Sequence, residues 1–161
     1  MTLILKILLA FKFLALANCS TFNQHDIEYI IYGTYAGECT GHCSLMFKLD
    51  KSKLFVDTTG SFFRNSEMTV TFNNDTLDHQ DFLNSQDIRA KIPTLLLTSS
   101  SKSFGMPDGY DQGGIFVQFK IDKEVKTFYI DVDKDQIPSE LRSFAELIES
   151  KVSSKWDNYY R

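Results

Sequence analysis

Apolar and polar residues alternate with a period of two in several runs of the chain beyond residue 26, and a run patterned this way buries one side of an extended strand. Leu45, Phe47 and Leu49 alternate with Ser44, Lys48 and Asp50, and Leu54, Val56 and Thr58 follow the turn-forming Asp50-Lys51-Ser52. Met68, Val70 and Phe72 are interleaved with Thr69, Thr71 and Asn73. Ile115, Val117, Phe119 and Ile121 precede a last run through Phe128, Ile130 and Val132, and an earlier run spans Ile27, Tyr29, Ile31 and Tyr35. One buried and one wet face is the usual state of an antiparallel sheet.

Two stretches break the two-residue rhythm. After Pro138, suited to a first helical position because its missing N–H is not needed there, Leu141, Phe144, Ala145, Ile148 and Val152 recur at helical spacing. A weaker helical pattern runs from about Asp78 to Thr98, with Pro93 breaking it or starting a segment within it. Ser99 to Gly114 is rich in Ser, Gly and Asp and reads as the longest irregular loop. The expected fold is therefore α+β: a single antiparallel β-sheet of about six strands, with a C-terminal helix and the weaker helical region packed on it.

The N-terminus reads as an export signal over residues 1–18. Lys6 supplies the basic start and Ile7–Ala17 an apolar stretch interrupted by Lys12, too short to span a bilayer. Two cleavage readings stay open. Ala15-Leu16-Ala17 fits a cut that releases a soluble protein, whereas Leu16-Ala17-Asn18-Cys19 resembles a lipobox, with Cys19 as the lipidation site and membrane anchor. Asn18 and Lys12 depart from that pattern. A polar tether (19–26), one α+β domain (27–154) and an aromatic tail (155–161) complete the expected organisation, in the cell envelope or secreted.

Cys39 and Cys43 stand four apart around Gly41. In an oxidising compartment a short loop between strands brings such a pair within disulfide geometry. The competing reading is a metal site built from Cys39, His42 and Cys43, with His25 or Glu38 as further ligands and Asp108 and Asp111 as a second candidate cation loop.

The segment Tyr32-Gly33-Thr34-Tyr35-Ala36-Gly37-Glu38-Cys39-Thr40-Gly41-His42-Cys43 resembles a group of uncharacterised bacterial envelope proteins, often lipoproteins, which carry a YGxxxGxCxGxC stretch between two strands. Pro107-Asp108-Gly109-Tyr110-Asp111-Gln112-Gly113-Gly114 is similar to the PDGxDxGG loop of the same group, and Ile137-Pro138 to its closing helix. The resemblance implies the fold and the envelope address. It implies no activity.

No other motif points to chemistry. Asp131, Asp133 and Asp135 alternate as in a calcium loop, but Gln136 and Arg142 stand where that loop needs Gly and Glu, so the expectation is that Asp131 and Asp133 flank a buried Val132 at a wet strand end. Ser99-Ser100-Ser101-Lys102 lacks its companion motifs, and Asn74-Asp75-Thr76 is a glycosylation sequon that applies only in a eukaryotic secretory host. A net charge of −4 argues against nucleic acid as partner, and no cofactor is expected. Two function classes follow. One is a non-catalytic binding or structural module for a protein, peptide or glycan, consistent with 14% aromatic residues. The other is a metal-handling or small hydrolytic protein using the Cys39/His42/Cys43 and Asp108/Asp111 loops. Convergence of those loops on one cavity would favour the second.

Overall fold

Strand β1 (Ile27–Tyr35) lies at the centre of the sheet because both of its neighbours are apolar strands, β2 (Ser44–Leu49) on one side and β5 (Gly114–Ile121) on the other. A computed structural model describes residues 26–57, 59–60, 62 and 69–159 of the chain. The export signal, Cys19, His25 and the rest of the tether to residue 25 lie outside the described residues, as do Met68, Tyr160 and Arg161. With β3 (Leu54–Val56), β4 (Ser103–Phe104) and β6 (Glu124–Asp131), the six strands form one sheet in the order β3-β2-β1-β5-β6-β4.

The sheet is mostly antiparallel, but not purely so: β4 runs parallel to β6, pairing Ser103 with Tyr129 and Phe104 with Ile130. The reason is the route of the chain. It leaves β3 at one edge, passes through the helices α1 (His79–Ala90) and α2 (Thr94–Thr98), and arrives at the opposite edge inside the stretch expected to be a loop. Such a crossover enters the edge in either direction, whereas the tight hairpin β5–β6 must be antiparallel. That hairpin turns on Asp122 and Lys123, both at positive φ (50° and 74°), which is the geometry of a two-residue turn matched to strand twist.

Helix α3 (Ser139–Tyr159) covers the first face of the sheet with α1 and α2. Its stripe Leu141, Phe144, Ala145, Ile148 and Val152 is buried against Ile30, Tyr32, Val117 and Phe119. Up to Tyr159 the stretch set apart as an aromatic tail forms the last turns of α3, and Trp156 and Tyr159 pack against the core. Pro93 caps the start of α2, and the Asp78 carboxylate accepts the Asp81 N–H at the start of α1. Arg89 on α1 donates to the carbonyls of Ile27, Leu49 (3.3 Å) and Asp50 (2.8 Å), tying the helix to one end of the sheet. Lys151 with Asp87 (3.1 Å) and Lys155 with Asp81 (2.5 Å) clamp α1 to α3.

The second face is not wet. Ile31, Tyr35, Met46 and Phe116 are buried there beneath Phe62, with Val70 and Phe72 packed beside them. Residues 69–73 form no strand, although their alternation predicts one. The edge they would need is occupied: Val56 N–H donates to Asp75 and Leu77 N–H to Leu54 along β3. The apolar members of the alternation, Val70 and Phe72, are packed on that second face. A bulge between Ile27 and Tyr29 also splits the first run, so Ile27 and Ile30 face the helices while Tyr29 and Ile31 face the other side.

Candidate functional site

At the end of the sheet where β1 finishes and β5 begins, loop 105–113 is built around two aspartates. Asp108 Oδ1 accepts the N–H of Gly113 within its own loop (2.9 Å) and the N–H of Gly37 from the cysteine loop (3.1 Å). Asp131, the last residue of β6, is almost fully buried and accepts N–H groups from Met106 (2.8 Å) and Asp133 (2.9 Å) and the Gln112 amide (3.4 Å). Burial by itself would raise the Asp131 pKa. The Asp133 and Met106 N–H groups, Gln112 and the Lys134 charge outweigh it and hold the carboxyl below the ordinary carboxylate range.

Asp131 thus lies inside and half-buried Val132 further out, the reverse of the wet strand end expected from the sequence. Asp133 accepts the Asp135 N–H (3.0 Å), so the acidic run forms a pair of successive Asx turns.

Asp108 and Asp111 both sit at φ 59°, left-handed backbone that non-glycine residues adopt at a cost of about 1–3 kcal/mol. The loop holds them there through the Asp108 N–H to Gly113 carbonyl bond (2.8 Å) and the Gly109 N–H to Met106 carbonyl bond (2.9 Å). A backbone so braced presents large side chains outward: Met106 is 56% and Tyr110 81% exposed.

The two candidate loops do meet, but through backbone rather than through acids aimed into one cavity. Gly37 is in contact with the Asp108 carboxylate, where a Cβ would collide with Oδ2. Cys39 and Cys43 stand at disulfide distance with Cα atoms 5.7 Å apart, and Ala36 N–H donates to the Cys43 carbonyl (2.8 Å) to close the same loop. His42 is exposed beside them. Among the described residues, no group of three or more His, Cys, Asp or Glu side chains stands at metal-binding spacing.

Two concave surfaces flank this junction. One, of about 280 Å³, is lined by Tyr35, Ala36, the disulfide, His42, Gln112 and Trp156 of α3. The other, an open trough of about 600 Å³, is floored by Tyr35 and Tyr129 and walled by Met106 and Pro107. Burial raises the pKa of both phenols, and at Tyr35 the neighbouring Asp108, Tyr129 and Asp131 add to it, so both rings are neutral across the physiological range.

The sequence points to Asp108 and places Asp131 at a wet strand end, whereas Met106, Tyr35 and Tyr129 carry no local signal of a site. Asp131 was hidden by its two neighbouring aspartates, and the tyrosines by their place in strand patterns. No protein-family model matches the chain, and no curated protein matches it in sequence.

Proposed function

We propose that this chain is an exported cell-envelope protein, lipid-anchored through Cys19, that acts as a non-catalytic binding module with loop 105–113 as its contact surface. One observation carries the reading: a loop over-determined by Asp108 and Asp131, with two residues in left-handed backbone, turns Met106 and Tyr110 to solvent. Strain held in place by hydrogen-bonded carboxylates is a device for presenting side chains in one geometry. The export part is supported by the lipobox-like Leu16-Ala17-Asn18-Cys19 and by the Cys39–Cys43 pair, which is stable in an oxidising compartment. The resemblance to envelope proteins of the YGxxxGxCxGxC type points the same way.

The meeting of the two loops favours a metal-handling or hydrolytic protein only if their ligands are available. Asp108 accepts two N–H groups, and the Cys39 and Cys43 sulfurs face each other.

The test has two parts. Fatty-acid labelling should mark the wild-type chain and fail with Cys19→Ser, and a mature N-terminus at Asn18 would refute the anchor. A photoreactive side chain at position 110 should give one discrete adduct in intact cells that is lost with Asp108→Ala, while the same probe at Lys123 gives none. Equal labelling from both positions would refute the contact surface.

A further inference from the structure

We infer that the trough over Tyr35 and Tyr129 binds a ring of an uncharged saccharide, an inference that rests on the binding-module reading and supplies its class of partner. Tyr35 and Tyr129 meet edge to face, with centroids 6.3 Å apart and planes at 88°. Tyr35 is buried beneath Phe62, so the surface this floor offers is the half-buried Tyr129 ring, held in place by Tyr35. A pyranose has the matching character: an apolar C–H face to lay on an aromatic ring, and hydroxyls at its rim for polar partners.

The rim supplies those partners from backbone. Gly105 and Gly109 line the trough and carry no side chain to shield their carbonyls, the Gly109 N–H being already bonded to Met106. Gly105 is confined to that residue type twice over, by its φ of 74° and because a Cβ would stand 2.6 Å from the Asp131 Cβ. Met106, more than half exposed at the wall, adds a polarisable surface that adapts to a ligand. The volume of about 600 Å³ falls within the ~300–1,000 Å³ of small-ligand sites.

Charge decides which class of ring fits. Among the described residues that line the trough none carries a charged side chain, and the carboxylates of Asp108 and Asp131 lie behind it. Those carboxylates disfavour an anionic sugar or a phosphate. They are also engaged by backbone N–H groups, which leaves little attraction for a cation. A cation cage needs aromatic faces from several directions, whereas here one ring turns its edge to the other. A proline-rich peptide needs parallel aromatic ridges, which an edge-to-face pair does not form.

The experiment is an NMR titration of the isotopically labelled full chain with chitotriose and with maltotriose, up to about 20 mM, a range that captures weak single-ring affinities. We expect at least one of them to shift the Met106 methyl and the Tyr110 and Tyr129 ring signals saturably, leaving the buried Met46 methyl in place. Met106→Ala, at an exposed position that the fold does not need, and Tyr129→Ala should each weaken binding about tenfold, or about 1.4 kcal/mol. Tyr129→Phe should retain most of the affinity. Absence of a saturable shift with both sugars overturns the inference, as does a shift produced only by choline or by a proline-rich peptide. If the sugars fail while the position-110 adduct still forms and depends on Asp108, the module stands and its saccharide partner falls. If the adduct fails as well, both fall.

Discussion

Asp131 carries more structure than its place in an acidic run foretells. Its carboxylate holds the first residues of loop 105–113 and the turn after β6 together, accepting two backbone N–H groups besides the Gln112 amide. Replacing it with alanine leaves those donors without their acceptor at about 1–3 kcal/mol each, so Asp131→Ala should lower the thermal midpoint and raise hydrogen exchange at Met106. The same residue sets a pH dependence. Because its folded pKa lies below the unfolded value, the folded state releases this proton more readily than the unfolded one. Its contribution is therefore complete above the unfolded value of about 4 and is lost as pH falls through the folded value. Urea midpoints measured from pH 6 down to 2 should decline, and the decline should be shallower in Asp131→Asn. Tyr32 works in the opposite direction. Burial raises its phenol pKa, so its contribution is present below about 10 and disappears as the solution becomes more alkaline. None of this was visible in sequence, where Asp131 looks like Asp133 and Asp135. Burial distinguishes them, and burial is decided by residues far away in the chain.

The helices and hairpins were largely legible, because their signals are local. Pro93 and Pro138 mark helix starts, and α3 follows its apolar stripe into the first face of the sheet. The short Cys39–Cys43 loop was legible for the same reason. It closes five residues, for which loop entropy amounts to about 2 kcal/mol, so Cys39→Ser with Cys43→Ser should reduce stability by about that much. The double variant should also loosen Gly37 from Asp108, seen as faster exchange of the Gly37 N–H. Two elements were misjudged. The run 69–73 alternates like a strand but is not one, its Val70 and Phe72 packing on the second face, and β4 lies within a Ser- and Gly-rich stretch that gives no strand signal. Two residues of β4 suffice because Tyr129 N–H also donates to the Lys102 carbonyl (2.8 Å), extending the contact along β6.

At the scale of the whole molecule, the sheet is a sandwiched layer: helices cover one face, and Phe62, Val70 and Phe72 pack on the other. Phe62 is the anchor of that second layer. It is fully buried against Tyr35 (centroids 5.1 Å apart) and Phe116 (5.0 Å), and the nearby Asp57 holds the start of its segment by accepting the Thr59 N–H (2.8 Å) and hydroxyl (2.6 Å). Phe62→Ala should cost about 3–5 kcal/mol, as much as a truncation in the helix-facing core, and chemical denaturation would show it. A loss below about 1 kcal/mol would mean that the second face is not a core at all.

By itself, the sequence determined the kinds of element and the main hairpin, because strand and helix periods, turn residues and helix-starting prolines act between neighbours in the chain. Only the tertiary structure decided the parallel edge strand, the burial of Asp131 and the junction of the two loops. Those depend on contacts such as Gly37 with Asp108, 71 residues apart, and no local pattern encodes which distant groups will share a surface.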